Sequence, residues 1–275
     1  HVAKTITAEV RVGNPTPRVS EVGYSMLNSI GIPSKGIQHF KDDILPLYQR
    51  YDTPFVASIS APTVDDFAYI CEQLSIPGVD AIEVNISCPN IEDDGKAFAM
   101  RPEPTFQVMK KLKSVTSVPL WAKLTPNTGE TIEVAKAAEE AGTDALVVSN
   151  TVLAMQIDIN TFKPSLGNIM GGLSGPAIKP IVLRMVYQCN KIVSIPIIGC
   201  GGIASAEDAI EFIIAGATAV QVGTATFINP LTMVSVISDF EIYCRKKGIE
   251  RVSDLIGKVN DQNTPDNAAL IEVDV

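Results

Sequence analysis

The sequence predicts an α/β protein built as a (β/α)8 TIM barrel, and three observations carry that reading. Short β-rich runs alternate with amphipathic segments along the chain. The runs are apolar with little polar alternation, as in parallel strands buried on both faces. The last two end in the glycine turns Gly199-Cys200-Gly201-Gly202 and Gly223-Thr224, and barrels commonly hold a ligand phosphate on the loops after strands seven and eight. A doubly wound sheet shares the alternation. No GxGxxG opens this chain, however, and its glycine-rich turns cluster near the end, which favours the barrel.

In chain order the strand runs are residues 2–6, 55–59, 81–86, 120–124, 145–149, 195–198 and 219–222. That is one fewer than a barrel needs. If the last two are strands seven and eight, the missing strand is the first, and Val2-Ala3-Lys4-Thr5 reads as the end of a strand already under way. Helices are signalled at Thr63-Val64-Asp65-Asp66 and Thr128-Gly129-Glu130-Thr131 by N-cap and acidic first-turn residues, and Ala141-Gly142 and Ala215-Gly216 close helices. Residues 11–18 and 27–31 are turn-rich and extended, on the same face as the strand ends. The longest connection, 151–194, is too irregular for one helix and is expected to hold an insertion over the barrel mouth. Within it, Gly171-Gly172-Leu173-Ser174-Gly175-Pro176 reads as a turn, either a flexible loop or a third phosphate-facing one, before a helix over 177–189. The domain reading is one barrel over 1–259 and a C-terminal tail over 260–275.

Composition narrows the function classes. The 275 residues carry a formal net charge of −9, which disfavours nucleic acid as a partner because backbone binding needs concentrated Lys and Arg. No apolar run reaches the roughly 18 residues of a membrane span, and no signal-peptide pattern is present, so the expectation is a soluble cytoplasmic protein. The five cysteines are scattered without CxxC spacing, against a disulfide scaffold or a zinc site. Cys71, Cys189, Cys200 and Cys244 read as small buried hydrophobes.

Cys88 differs in its company. Asn85-Ile86-Ser87-Cys88-Pro89-Asn90 puts a thiol, a hydroxyl and two amides directly after an apolar strand, and the proline forces the strand to stop. Lys4, Lys123, Asn150 and Thr151 stand at other strand ends. A lone lysine or asparagine there would be a solvated charge or a turn former. Together they suit a planar polar ring beside a phosphate-bearing cofactor: amides match both donors and acceptors, a lysine stabilises developing negative charge, and a thiolate can take a proton from carbon.

At these residues the sequence resembles the class 1 dihydroorotate dehydrogenases. The motifs are Lys4-Thr5, Gly13-Asn14-Pro15 with Pro17-Arg18, Leu27-Asn28-Ser29-Ile30-Gly31, the Asn85–Asn90 turn, Ala122-Lys123-Leu124, Ser149-Asn150-Thr151 and the glycine turns; the form of Gly171–Pro180 looks like the class 1B, NAD-linked catalytic subunit. The resemblance implies FMN at the barrel mouth and oxidation of dihydroorotate to orotate in pyrimidine biosynthesis. It makes Cys88 the base for the C5 proton while hydride leaves C6 for flavin N5. It makes Lys4, Asn28, Asn85, Asn90, Asn150 and Thr151, with the backbone of Ile30, Gly31 and Ile32, the substrate contacts. Lys4, Thr5, Lys123, Gly175, Gly201, Gly202, Gly223 and Thr224 become the cofactor contacts, with no metal. It further implies a partner subunit carrying FAD and a 2Fe–2S cluster, passing electrons to NAD⁺, and a dimer of catalytic subunits within a heterotetramer. Segment 91–98, polar and glycine-bearing, is a candidate lid. The rivals are the pyrimidine-reducing domain of dihydropyrimidine dehydrogenases, whose turn usually has histidine where Asn90 stands, and a catalytically silent scaffold barrel.

Overall fold

The computed structural model describes residues 1–87 and 97–259. Six parallel strands form one sheet in the order Ala219–Gln221, Ile197–Cys200, Ala145–Val148, Leu120–Lys123, Ala81–Asn85, Val56–Ile59. Residues 2–6 extend it through parallel bridges from Val2 to Val56 and from Ile6 to Ile59. The sheet curls into the α/β barrel with its helices outside. The position that the sequence reading assigns to a first strand lies between the two edges, residues 2–6 and Ala219–Gln221.

The helices start and stop where local chemistry dictates. Thr63 caps Val64–Leu74 by accepting from the Asp66 N–H at 3.1 Å, and Ser205 with Asp208 forms a capping box on Ala206–Ala215. Gly216 ends that helix at φ +123°, a conformation that glycine adopts without a Cβ penalty. Helix Thr131–Glu140 instead has Glu130 at its N-cap without a side-chain bond; the Thr128 hydroxyl accepts the Glu130 N–H at 3.0 Å and donates to the Met100 carbonyl at 2.8 Å.

Two apolar clusters follow from strand alternation. The larger lies between sheet and helices, with Ile59, Ile82, Val84, Phe67 and Phe212. A small one lies inside the barrel, with Ala145, Val147 and Ile198 against Trp121 and Cys200. The interior also receives polar side chains, because Glu83 pairs in register with Trp121, and Asn85 with Lys123.

Three expectations are corrected. Gly171–Ser174 is not a turn: Met170–Ser174 is a strand in a four-stranded antiparallel sheet, ordered Val19–Val22, Ser25–Asn28, Met170–Ser174, Val152–Met155. Its glycines permit close approach, since a Cβ on Gly171 would meet the Asn28 carbonyl oxygen at 2.3 Å and one on Gly172 the Thr151 hydroxyl at 2.0 Å. The following helix is Lys179–Asn190, preceded by a 3-10 turn at Pro176–Ile178. The strand expected at 195–198 is Ile197–Cys200, which brings Cys200 to its end. The antiparallel sheet is the predicted insertion joined to the early extended segment, and it roofs the C-terminal ends of the barrel strands. The tail 260–275 lies outside the described residues.

Candidate active site

A cavity of about 910 Å³ opens between the barrel strand ends and the antiparallel sheet. Its size and its place at the C-terminal face of the barrel fit a small-molecule site. One end is made of turns. Gly175, Gly201, Gly202, Gly223 and Thr224 all line it. Gly175 sits at φ +98° and Gly202 at φ +77°, and a Cβ on Gly202 would lie 2.8 Å from the Lys179 backbone nitrogen and 2.9 Å from the Gly175 carbonyl oxygen. The turns therefore interlock and demand glycine. A Cβ on Gly223 would meet nothing within 4 Å, so that backbone faces open space. Lys179, beside Gly202, is engaged by Asp208 at 2.7 Å and Glu211 at 3.0 Å, and its hydrogen bond to Asp208 raises its pKa. An anion here would be held by the backbone of the turns; beside them the Thr224 hydroxyl donates to the Ser174 hydroxyl at 2.8 Å.

The other end carries charge and amides. Lys123 reaches the cavity from the end of Leu120–Lys123, and its ammonium bonds Glu83 Oε1 at 3.2 Å and Gln221 Oε1 at 3.5 Å. Burial pushes the Lys123 pKa down, but facing Cys200 and Glu83, together with the hydrogen bond to Glu83, more than offset this and hold it raised. Burial pushes the Cys200 thiol up, against the partial pull of Lys123. The Glu83 carboxylate, 3.2 Å from the Lys123 ammonium, is its ion-pair partner. Asn150 donates from Nδ2 to Asn85 Oδ1 at 3.0 Å and accepts the Thr151 N–H at 2.8 Å. The Asn85 amide nitrogen has no partner among the described residues, and Asn85 stands behind the cavity lining rather than in it. Asn28 donates to the Gly172 carbonyl at 3.2 Å.

The structure thus gathers Asn28, Ile30, Lys123, Asn150, Thr151 and the glycine turns on one cavity. Others stand off its wall. Thr5 is tied into the barrel interior through the Ser58 hydroxyl at 3.0 Å. Lys4 is exposed and has no partner among the described residues, although the surrounding protein still lowers its pKa. Ala3 and Ile6 donate to Val56 and Ser58 in turn, so three residues span what two would in a regular ladder, and this bulge re-aims the Lys4 side chain. Gly31 and Ile32 also stand off the wall: Gly31, at φ +80°, packs on Asn14, whose side chain bonds Ser29. Cys88 and Asn90, with most of the candidate lid 91–98, lie outside the described residues.

Sequence reasoning missed Glu83, Ser58 and Gln221, and assigned Cys200 to packing when it lines the cavity. The signal for Glu83 was present: Glu83, Asn85 and Ser87 alternate in an otherwise apolar strand, and period two places them on one face.

The donor set fits a phosphate-bearing planar cofactor such as FMN. Backbone turns suit the phosphate, and the fixed amides and the ammonium suit the ring.

Comparison with known proteins agrees in extent. The family model described as dihydroorotate dehydrogenase matches residues 1–242. The chain is 46% identical over 256 residues to the dihydroorotate dehydrogenase B (NAD(+)) catalytic subunit of Geobacillus sp. (strain WCH70), covering 93% of this chain and 82% of that protein. The protein of the same name in Thermoanaerobacter sp. (strain X514) is 45% identical over 258 residues, covering 94% and 85%. That of Caldicellulosiruptor bescii is 46% identical over 257 residues, covering 94% and 85%.

Proposed function

The chain belongs to the dihydroorotate dehydrogenase family, and on that premise we propose that it is an FMN-dependent oxidoreductase that oxidises dihydroorotate to orotate. The observation that carries the reading is the cavity with glycine turns at one end and Lys123, Asn28 and Asn150 at the other, Asn150 being bonded in turn to Asn85 behind the wall. When bound, FMN supplies the acceptor for the hydride leaving C6.

The chain's own residues do the rest. Gly175, Gly201, Gly202, Gly223 and Thr224 hold the phosphate, and the Lys123 ammonium offers positive charge where a reduced ring accumulates electrons. Asn150, bonded to Asn85, and Asn28, held by Gly172, present amides to the substrate ring. Asn85, Asn90 and Cys88 extend this group on the strength of the motif they share with the family: Cys88, as thiolate, takes the C5 proton. Lys4, Thr5 and the 30–32 backbone are assigned on the same basis. The relatives' names, which specify a catalytic subunit and NAD(+), support a partner subunit that carries FAD and a 2Fe–2S cluster and passes the electrons to NAD⁺. They also fit a dimer of catalytic subunits within a heterotetramer. No helix among the described residues is long and apolar enough to cross a membrane.

The test is stopped-flow mixing of FMN-loaded protein with dihydroorotate. Flavin absorbance should bleach, and Cys88→Ala should keep FMN while slowing the bleach by about 10²-fold or more. An unchanged rate removes Cys88 from the mechanism. Bleaching by dihydrouracil but not by dihydroorotate moves the protein to the dihydropyrimidine rival, and protein that takes up no flavin is a scaffold.

A further inference from the structure

Glu83 is a carboxylate in the middle of a parallel strand, with a side chain only 3% exposed. A buried carboxylate is tolerated only when its charge and lone pairs are met. Three strands meet them, the two adjacent ones and, across the barrel interior, the one at the far edge of the sheet. Ser58 donates to Oε1 at 3.3 Å, Lys123 to the same oxygen at 3.2 Å, and Gln221 to Oε2 at 2.8 Å. Thr5 extends the chain through Ser58. Gln221 closes it, because its Oε1 returns to Lys123 at 3.5 Å while its amide nitrogen serves Glu83. Lys123, its side chain 17% exposed, lines the cavity together with Gln221, and it is the charged member that does so. Among the described residues, Glu83 and Cys200 are the titratable groups that face it.

We propose that Glu83 is a positioning residue: it holds the Lys123 ammonium charged and aimed into the cavity, so that the cation offered to the cofactor does not depend on pH across the working range. This rests on the reading of Lys123 as the cation facing the cofactor, and it adds the group that makes that role possible. A lysine this enclosed and without a carboxylate beside it sheds its proton, because burial then acts unopposed. A purely structural Glu83 would fill the barrel interior without governing that charge.

The experiment reads the proton on Lys123 directly. Purified protein is acetylated by acetic anhydride over a pH series and the labelling of individual lysines is followed by mass spectrometry, with exposed Lys136 as internal reference. In the native chain Lys123 should titrate at higher pH than Lys136. In Glu83→Gln, which keeps the shape and removes the charge, the Lys123 midpoint should fall by about one unit or more while Lys136 stays; Glu83→Asp should restore a high midpoint. A folded Glu83→Gln protein with an unmoved Lys123 midpoint overturns the proposal. If that variant does not fold, the native chain still decides: Lys123 titrating at or below Lys136 also overturns it. Flavin bleaching by dihydroorotate in the native protein is scored separately, so failure of the positioning role and failure of the assigned reaction are distinguishable.

Discussion

The barrel side of the cavity, from Leu120–Lys123, Ile197–Cys200 and Ala219–Gln221, consists of side chains that serve one another, whereas the roof from Ser25–Asn28 and Met170–Ser174 consists of backbone and short amides. On the barrel side a parallel register fixes Glu83 and Lys123 as diagonal neighbours, and the charge they share is enclosed. On the roof an antiparallel ladder holds Asn28 opposite Gly172, and what it offers is neutral hydrogen bonding. The difference teaches a division of labour. On the proposed reading the barrel side supplies the charge that faces the cofactor, and the roof adds a neutral amide, Asn28, for the substrate.

The largest effect that could break this division is expected at the barrel-side turns. In Gly202→Ala the new Cβ meets the Lys179 nitrogen at 2.8 Å and the Gly175 oxygen at 2.9 Å, at φ +77°. Backbone strain of this kind costs about 1–3 kcal/mol, and each 1.4 kcal/mol is tenfold in affinity. FMN affinity measured by fluorescence titration should fall by roughly tenfold or more. Unchanged binding would mean that the phosphate lies elsewhere.

A smaller and different effect is expected on the roof. Asn28→Ala removes one amide bonded to the Gly172 carbonyl, worth about 1 kcal/mol net. The KM for dihydroorotate should rise roughly fivefold by that estimate, with FMN affinity unaltered. If flavin binding falls as it does in Gly202→Ala, the two walls are one functional unit and the division fails.

The same contrast explains what the sequence made legible. Barrel strands announce themselves because each is a local apolar run, and their order follows from the alternation of strand and helix. The roof pairs Asn28 with Gly172 across a separation of 144 residues, and no local window contains both. Its glycines have low strand propensity, and they sit in a strand only because Asn28 and Thr151 crowd them there. At the site, Lys123, Asn150 and the glycine turns could be named because each stands at a strand end. Glu83 lies mid-strand, where a carboxylate is unremarkable until its neighbours are known. Cys200 looked like packing because the strand was read as ending at 198; two residues further, the same thiol faces Lys123.

The smallest effect tests whether either wall depends on the barrel's outer helices. Thr63 accepts the Asp66 N–H at 3.1 Å and donates to the Asp66 carboxylate at 2.7 Å, capping Val64–Leu74 on the outside of the barrel. Thr63→Ala leaves that first-turn donor to water and should lower unfolding free energy by about 1 kcal/mol, read by urea denaturation with an unchanged slope. The helix packs Phe67, Ile70 and Leu74 into the large cluster behind the sheet, yet it contributes nothing to the cavity lining. Kinetic constants and flavin affinity should therefore match the native chain at temperatures well below melting. A changed KM would mean that the roof senses packing behind the sheet, and a changed flavin affinity would mean the same of the turns. Either would show that the barrel is less rigid a platform than its buried strands imply.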